Sequence, residues 1–489
     1  MSTRRLWILP FLALALGTLA ATLAQCGGDA TAAMPPQMPA HVPAQSGQDP
    51  ATPASASTPG DRIRILLSGS MLGRLEPCGC ASGQLGGLAR RMQHIGEQRN
   101  YDLLIEGGDL VEGTNELDVQ KLFTALQILY GMQRPYDVLG VGQNDLNLPL
   151  AEWMGLAAMA PVVASDLTST QPEWPGKPFV EKEVHGKVVR IASLSLHLPA
   201  ALQTPDAPIH LLPPNEAWQK ALAGAADSTL RVLLVNGSDA ETRALVPELK
   251  PAPDLVACMD HGYLEPTVSP QIVAGVPIVF AGIRGRVLLD VWLERLPTGP
   301  RAICELVPLV GSKTVSAGGG DPDVKQVLLG HRNSVKDAGV LARLARQLPT
   351  ANGAAYVGSD NCRSCHALAF AAWEKTRHHG AWETLQKAEA DPKRYGWPVT
   401  FYPDCVSCHV VGYREQTGFV TFEETPQLAA VGCERCHGAG SDHVMTGGKK
   451  KLGLIGGVAA SVLCVQCHDF EQSPDFLYQN KWPLIQHGK

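Results

Sequence analysis

Short apolar runs alternate with amphipathic stretches between residues 62 and 310. Short apolar runs predict buried β-strands, whereas apolar positions three and four residues apart predict helices. The predicted strands are 63–68, 102–107, 137–141, 162–164, 232–235 and 254–258, and the predicted helices include 119–130, 148–159 and 216–226. Strands that alternate with helices in this way predict an α/β domain.

A tight hairpin is predicted where His185 and Gly186 separate the apolar segments 179–184 and 187–196, which adds antiparallel strands to this domain. Residues 323–348 have helical spacing, and after about Ala351 the sequence changes to polar loops, short helices and cysteines. Residues 27–60 are rich in Pro, Ala, Ser and Gln, which predicts a flexible tether. We therefore predict an export signal at 1–25, a tether at 26–60, an α/β domain at 61–312, a helical linker at 313–350 and a second domain at 351–489.

The amino terminus predicts export. Arg4 and Arg5 precede an apolar run that ends at Leu23-Ala24-Gln25-Cys26, the order of a signal segment. The last four residues resemble the bacterial lipoprotein box, in which the cysteine is lipidated, although Gln25 replaces its small residue. Ordinary cleavage near Ala24 is the alternative. Either way the mature protein is expected outside the cytoplasm, in the periplasm or at the cell surface, with membrane attachment through a lipid on Cys26 in the first case.

Composition narrows the function classes. The chain of 489 residues has a net charge of −6, whereas a nucleic-acid-binding protein would normally carry a concentrated basic face. After residue 25, no uncharged apolar stretch reaches the roughly 18 residues of a membrane-spanning helix. The 13 cysteines are an odd and large number for such a chain, and they require an explanation.

Eight of these cysteines form four copies of the Cys-x-x-Cys-His pattern. The copies are Cys362-Cys365-His366, Cys405-Cys408-His409, Cys433-Cys436-His437 and Cys464-Cys467-His468. The pattern is the attachment signature of c-type haem, in which two thiols one turn apart bond the vinyl groups and the histidine binds the iron. Disulfides would not need a histidine after every pair, and zinc sites do not repeat this pentapeptide four times. The sequence therefore predicts four covalently attached haem c groups with these histidines as proximal ligands.

The histidines beyond residue 350 that lie outside the motifs are His378, His379, His443 and His487. Four spare histidines within about 139 residues of four irons are best explained as distal ligands, and we predict this role for His378, His443 and His487. On a helix His379 would point about 100° away from His378, so its role stays open. One haem then has no distal protein ligand unless His331, just upstream, supplies it.

The C-terminal third resembles the multihaem cytochrome c-554 family. The resemblance rests on WEKTRHHGA, YPDCVSCHVVGY, VGCERCHGAGSDH and CVQCHDFEQSPDF, and it covers residues 351–489. It implies closely packed haems, mostly with two histidine ligands, that pass electrons one at a time. Members of the family can contain one five-coordinate haem, which motif order would place at His409.

The α/β domain resembles the calcineurin-like metallophosphatases, and within them the 5′-nucleotidase and UDP-sugar hydrolase family. The resemblance rests on ILLSGSMLGRLE, GGLARR, LLIEGGDLVEGT and YDVLGVGQND. Of the residues that hold two metals in that family, only Asp109 clearly matches. The other positions hold Ser70, Leu72, Gln143, Asn144 and Asn236, a carboxylate kept at Asp145, and Cys258-Met259-Asp260-His261-Gly262 in the last motif. A dimetal centre needs a shared carboxylate and several nitrogen ligands, so we predict no phosphoesterase activity.

Four cysteines are left after eight for haem and Cys26 for a lipid: Cys78, Cys80, Cys258 and Cys304. Cys78 and Cys80 follow the altered first metal motif, and Cys258 lies in the altered last one. If the fold is kept, these three approach the same end of the sheet as Asp109, Asp145 and His261. This placement predicts a redox dithiol or a replacement metal site. The alternative is a structural disulfide or inert buried thiols, which is favoured for Cys304.

Together these patterns predict an α/β metallophosphatase-like sandwich followed by a mainly α, loop-rich tetrahaem cytochrome c domain. The function favoured is electron transfer to and from redox partner proteins outside the cytoplasm. The α/β domain would then dock a partner or exchange electrons through its cysteines. The alternatives are a haem enzyme that acts on a small nitrogen or sulfur compound at an open iron, and, less favoured, a nucleotide or sugar-phosphate hydrolase.

Overall fold

The structure is a computed structural model. It describes residues 62–487 apart from 79–82, 99, 133, 171–173, 175, 205–206, 261–265, 311–318, 392–396, 454–456 and 470. All of these residues belong to one compact unit, Asp49–Lys489. Cys26, Cys80 and His261 lie outside the described residues, as do the signal and tether segments.

Thirteen strands are found in the described part of the chain, all of them before residue 310. They are β1 (Ile63–Ser68), β2 (Leu103–Glu106), β3 (Val138–Leu139), β4 (Leu167–Ser169), β5 (Val180–Val184), β6 (Lys187–Ser195), β7 (Ile209–Leu211), β8 (Leu230–Asn236), β9 (Leu255–Cys258), β10 (Gln271–Val273), β11 (Val276–Phe280), β12 (Val287–Leu296) and β13 (Gly299–Pro308).

Helices occur in both halves of the described chain, and those after residue 350 are short. They are α1 (Leu88–Glu97), α2 (Glu116–Gly131), α3 (Leu150–Met159), α4 (Pro214–Leu222), α5 (Asp239–Leu245), α6 (Pro322–Asp337), α7 (Val340–Leu344), α8 (Asp360–Arg363), α9 (Ala367–Glu374), α10 (Ala381–Ala390), α11 (Pro403–Ser407), α12 (Cys433–His437), α13 (Ser441–Met445), α14 (Gly457–Val465) and α15 (Tyr478–Lys481). No helix in the described ranges is long and apolar enough to cross a membrane.

The strands form two large sheets that pack face to face. The first has the order β13-β12-β1-β2-β3, and the second has the order β10-β11-β9-β8-β6-β5. One apolar cluster combines inward residues of both sheets, including Ile65, Val291, Ile191 and Val232. Because each strand buries alternate side chains on opposite faces, the outer face of each sheet is also apolar and needs its own cover.

Helices cover both outer faces. Helices α1, α2 and α3 pack on the first sheet in a cluster that contains Trp153 and Leu126. Helix α4 packs on the second sheet through Trp218 and Ala221. The domain is therefore a four-layer α/β sandwich, which confirms the predicted fold class of the N-terminal region.

Local sequence explains several of these elements. The side chain of Asn115 caps α2, and that of Ser238 caps α5, each with an acidic residue three positions on that bonds back to the cap. His185 and Gly186 have φ values of 50° and 72°, which gives the β5–β6 hairpin its tight turn. The predicted hairpin is confirmed. The strand predicted at 162–164 is wrong: Val162 and Val163 form only isolated bridges, because the neighbouring β3 is two residues long.

The C-terminal region is built from short helices around a small apolar cluster. Trp382, Val406, Val410, Phe419 and Leu428 lie in that cluster. A second cluster joins this region to the α/β domain, since Leu117 of α2, Val335 of α6 and Val340 and Leu344 of α7 pack against Tyr402. The residues after 350 therefore have a small apolar core of their own and pack in addition against helices α2, α6 and α7.

Candidate functional site

Each Cys-x-x-Cys-His motif begins in a helical turn. In the first and fourth motifs the histidine amide donates to the carbonyl of the first cysteine, at 2.9 Å in both His366 and His468. The third motif is itself the helix α12. In the second motif the amide of His409 donates to Val406 O at 2.8 Å. One turn of helix brings thiols three residues apart to the same side of the chain, as haem c attachment requires.

The four motifs are grouped in two pairs. The Cys362 thiol of the first motif lies within interaction distance of that of Cys433 in the third, and the Cys408 thiol of the second lies within interaction distance of that of Cys467 in the fourth. Arg435 Nη2 lies 3.8 Å from Cys467 Sγ, between the two groups. The arrangement gathers all four attachment sites within one small region.

Three of the four motif histidines face a second histidine ring. The ring centres of His366 and His443 are 5.9 Å apart, those of His468 and His378 are 6.0 Å apart, and those of His437 and His487 are 5.9 Å apart. Two imidazole nitrogens on opposite sides of one metal are about 4 Å apart, which puts the ring centres roughly 6 Å apart. Each histidine predicted as a distal ligand is thus placed opposite a different motif histidine.

His409 differs from the other motif histidines. Its Nδ1 lies 2.6 Å from the carbonyl of Ala381, and no histidine ring in the described ranges is paired with it. The last non-motif histidine of this region and the upstream His331 contact other groups: His379 packs edge-on against Trp373, and His331 packs against Tyr402. His331 is therefore not in the position of a distal ligand.

Hydrogen bonds at Nδ1 orient the other rings. The acceptors are the carbonyls of Gly453 for His437, of Lys450 for His443 and of Ile485 for His487, and the hydroxyl of Ser473 for His468, at 2.8 to 3.2 Å. A histidine whose Nδ1 donates to an acceptor presents Nε2 to a metal, and this second contact fixes the tautomer. These rings are therefore held in the orientation that ligation uses.

The altered metallophosphatase motifs meet at one edge of the first sheet. The Asp145 carboxylate accepts hydrogen bonds from the backbone amides of Asp109, Leu110 and Gly142. Burial, with the neighbouring Asp109 carboxylate adding to it, raises the pKa of Asp145 to about 7. The carboxylate of Asp145 thus stabilises the surrounding loops by accepting hydrogen bonds from their backbone amides.

Met259 fills the space beside these loops. A side chain at Gly69 or Gly107 would collide with its thioether, at 2.4 Å and 2.2 Å from atoms of Met259. Ser70 is completely buried, and its hydroxyl has no hydrogen-bond partner. The Met259 thioether and the Ser70 hydroxyl are not the nitrogen and carboxylate donors that divalent metals prefer in such centres.

The described cysteines of the α/β domain, Cys78, Cys258 and Cys304, do not belong to a metal-binding group of described residues. No group of three His, Cys, Asp or Glu side chains within the described ranges is placed to hold a metal, so Cys258 does not join Asp109 and Asp145 in such a group. Cys258 is buried and bonds to Thr242, and burial raises the pKa of its thiol to about 12. Burial likewise raises the pKa of Cys304 to about 11. Both have the character of inert buried thiols, which is the alternative stated in the sequence analysis.

Cys78 lies instead at the junction with the C-terminal region. Its Sγ accepts a hydrogen bond from Gln84 Nε2 at 3.1 Å, and the same amide donates to Glu471 O at 2.7 Å. Cys78 is close enough to Cys405 for the two thiols to interact electrostatically. It lines a small cavity with Arg74, Glu76, Arg284 and Glu471.

Similarity to known proteins agrees with the two-part architecture. Residues 361–438 match the family model described as cytochrome c554 and c-prime. A cytochrome c-554 of Nitrosomonas europaea is 35% identical over 123 residues, which are 22% of this chain and 51% of the relative. The C-terminal region is similar to cytochrome c-554. The chain spans about half the length of this curated relative, and the matched family region contains the first three motifs.

Solved structures similar to the α/β domain include two nucleotidases. A 5′-nucleotidase precursor from Thermus thermophilus is 17% identical, with a TM-score of 0.44, over 65% of this chain and 68% of that one. The NAD nucleotidase of Haemophilus influenzae is 14% identical, with a TM-score of 0.48, over 61% of this chain and 64% of that one.

Two groups of residues at the junction were missed by sequence reasoning. Lys121 Nζ of α2 lies 2.5 Å from the Asp404 carboxylate of α11. His331 lies between Thr124 Oγ1 and the Tyr402 hydroxyl, at 3.0 Å from each. The one available signal was Lys121 on the apolar side of an amphipathic helix, because a lysine there requires a buried partner.

Proposed function

We propose that this protein is an exported tetrahaem cytochrome c that transfers electrons between redox partner proteins. The observation that carries the proposal is the set of three histidine pairs with ring centres 5.9 to 6.0 Å apart, each containing one motif histidine. Iron with two imidazole ligands has no open position and is suited to electron transfer. Export and a lipid on Cys26 belong to the proposal on the grounds of the signal segment and lipoprotein box.

The residues around the motifs suit haem. Leu368, Met445, Val465 and Leu484 are strongly exposed, and each lies within three residues of a motif histidine or of its facing histidine. A bound porphyrin would cover these apolar side chains. Their burial against haem would stabilise the C-terminal region, whose own apolar core is small. The thiols would attach the haems, the paired histidines would bind their irons, and bound haem would supply one-electron redox chemistry.

The grouping of the motifs supports transfer among the haems. Cys362 lies near Cys433, and Cys408 lies near Cys467, so the chain holds the attachment points of two haems close together in each group. Arg435 lies between the groups and adds a fixed positive charge near Cys467. The chain's own contribution is therefore to hold the sites close together and to keep them in one orientation.

A second candidate function is ligand binding or catalysis at the haem attached at Cys405 and Cys408. It is favoured by His409, whose ring has a backbone acceptor at Nδ1 and no facing histidine in the described ranges. An iron with one protein ligand can bind a small nitrogen or sulfur compound, whereas the three paired sites cannot do so without losing a ligand.

The spin state of the haems tests both readings. We expect the purified protein to contain four haems per chain, three low-spin and one high-spin, with carbon monoxide binding to one haem in the reduced state. His443→Ala should raise the number of carbon monoxide-binding haems from one to two, because the His366 site loses its second ligand. His379→Ala is the matched control and should leave the number at one. Four low-spin haems would contradict the open site, and fewer than four haems would contradict the tetrahaem assignment.

The α/β domain is proposed to be non-hydrolytic and to act in docking. Met259 and Ser70 stand where a dimetal centre would need ligands, and Asp145 is engaged by backbone amides. We expect no hydrolysis of nucleotides or UDP-sugars above the buffer rate when Mn²⁺ or Mg²⁺ is added, measured as released phosphate. Metal-dependent phosphate release that survives repeated purification would refute this part of the proposal.

A redox role of Cys78 with Cys80 also belongs to the proposal. Cys78 lies at the junction, within electrostatic range of Cys405, whereas Cys258 and Cys304 lie in apolar clusters. Joining two thiols as a disulfide releases two electrons and two protons. Two one-electron centres can accept the electrons, and solvent can accept the protons.

A further inference from the structure

Lys121 is a buried cation whose partner belongs to the other half of the molecule. Its side chain is 7% exposed in the middle of α2, and its Nζ lies 2.5 Å from the carboxylate of Asp404. A buried ammonium without a partner is costly, so the position of Asp404 is tied to that of α2. Asp404 directly precedes Cys405, the first attachment cysteine of the second motif.

His331 makes a second connection to the same helix. One ring nitrogen contacts Thr124 of α2, and the other contacts the hydroxyl of Tyr402, both at 3.0 Å. Both hydroxyls can donate or accept, so a neutral imidazole satisfies the whole chain of hydrogen bonds. Tyr402 is itself buried and immediately precedes α11. Two neighbouring polar contacts therefore hold the start of α11 against α2 and α6.

Aromatic residues just before α11 make further contacts with α6. The guanidinium of Arg332 lies 4.0 Å from the centre of the Trp397 ring, and the ammonium of Lys336 lies 4.7 Å from that of Phe401. Such cation–π contacts add attraction that does not depend on a single bond geometry. The segment that leads into α11 is therefore held from more than one side.

The α/β domain also contacts the segment after the fourth motif. Arg284 lies 3.1 Å from the Asp469 carboxylate and 3.0 Å from that of Glu471. By contrast, Glu434 within the third motif and Ser359 just before the first accept hydrogen bonds from backbone amides of the C-terminal region itself. The α/β domain thus holds the second and fourth motifs, whose Cys408 and Cys467 thiols lie near each other.

The second motif has the greater need of this support. At the three paired sites a second histidine, from another segment, faces the motif histidine and would hold the haem iron together with it. At the second motif the residues that would hold the haem are His409 and the two thiols of Cys405 and Cys408, all carried by α11 and the residues that follow it. Small movements of α11 are therefore transmitted to this site and are not resisted by a second ligand.

We propose that the α/β domain is a fixed component of the open haem site, in which Lys121 and His331 are positioning residues that hold the attachment helix α11. The inference rests on the proposed function, because it assigns to the α/β domain a part in the site at His409. It gives this domain a role that needs no hydrolytic chemistry.

The test uses the full-length haem-loaded protein and three variants. Lys121→Met removes the charge that holds Asp404, Lys121→Arg keeps it, and Arg284→Gln breaks the junction contact beside the paired site of His468. We expect Lys121→Met to retain four haems and to change the carbon monoxide dissociation constant and the midpoint potential of one haem. The expected change in the dissociation constant is about 2- to 30-fold, with recovery in Lys121→Arg.

Arg284→Gln is the matched control and should lower the melting temperature without changing carbon monoxide binding. His331→Leu should repeat the Lys121→Met effect, so that poor folding of one variant does not decide the outcome. Variants that lose only thermal stability, with unchanged affinity and potentials, would overturn the positioning role. A wild-type protein without a carbon monoxide-binding haem would contradict the open site alone. In that case a change of one potential in Lys121→Met would still support positioning, and unchanged potentials would overturn it.

Discussion

Arg91→Met is expected to lower the free energy of unfolding of the α/β domain by about 3–5 kcal/mol. Arg91 Nη1 lies 2.8 Å from Glu106 Oε2, and the two side chains are 1% and 0% exposed. Ser68 donates a hydrogen bond to the same carboxylate at 2.6 Å. Without the guanidinium, Glu106 would be a carboxylate buried with one hydroxyl donor, a situation that costs far more than the loss of an exposed ion pair.

The pKa of Glu106 reflects opposing effects of burial and of its hydrogen-bond partners. Burial raises the pKa, and Arg91 and Ser68 only partly oppose that effect. In Arg91→Met the carboxyl should therefore take up a proton on folding, and the variant should become more stable as the pH falls toward the pKa of the buried acid. Because the folded-state pKa is the higher one, the unfolded state holds fewer protons in this range, and stability falls as the pH rises.

Denaturant unfolding followed by far-UV circular dichroism would measure the effect. Arg301→Met is the control, since Arg301 is itself 39% exposed and its loss leaves Glu294 paired with Arg62, so stability should change by less than about 1 kcal/mol. The double variant Arg91→Met, Glu106→Gln should recover part of the loss, because no uncompensated charge is left. Equal effects of Arg91→Met and Arg301→Met would contradict the argument.

Local patterns predicted those elements whose determinants are close together in the sequence. The β5–β6 hairpin follows from alternating residues around His185 and Gly186, and the attachment motifs follow from five consecutive positions. The long hairpin of β12 and β13 was not predicted. It completes the first sheet by pairing Leu293 with Ile63 and Val291 with Ile65, across more than half of the α/β domain. Such pairing depends on tertiary contacts that no local window contains.

The candidate sites show the same division. The number of spare histidines could be compared with the number of predicted haem irons, and this comparison predicted three distal ligands. It did so even though His366 and His443 are far apart in the sequence. The role of Met259 could not be read from its residue type, because a methionine in an apolar region fits an ordinary core equally well. Its meaning comes from Gly69 and Gly107, which leave the space that it fills. The junction role of Lys121 likewise depends on a partner 283 positions away.

Glu434→Ala is expected to destabilise the haem region by several kcal/mol and to reduce the haem content of the chain. The Glu434 carboxylate is 3% exposed and accepts hydrogen bonds from three backbone amides, those of Val357, Gly358 and Gly440. Each buried amide left without a partner costs about 1–3 kcal/mol. The residue also joins the third motif to the segment before the first, so its loss loosens the turn that carries Cys433, Cys436 and His437.

Glu434→Gln removes the charge of this side chain and keeps its shape, and Glu424→Ala is the control at an exposed glutamate. Glutamine keeps one acceptor oxygen but turns an NH₂ group toward amide donors, so an intermediate loss is expected. Glu424 is exposed, and its replacement should have little effect. Haem per chain and the melting temperature at the haem absorption band would give the order wild type and Glu424→Ala, then Glu434→Gln, then Glu434→Ala. Full haem content and an unchanged melting temperature in Glu434→Ala would contradict this prediction. Such a result would mean that the region rearranges and the backbone amides find other partners.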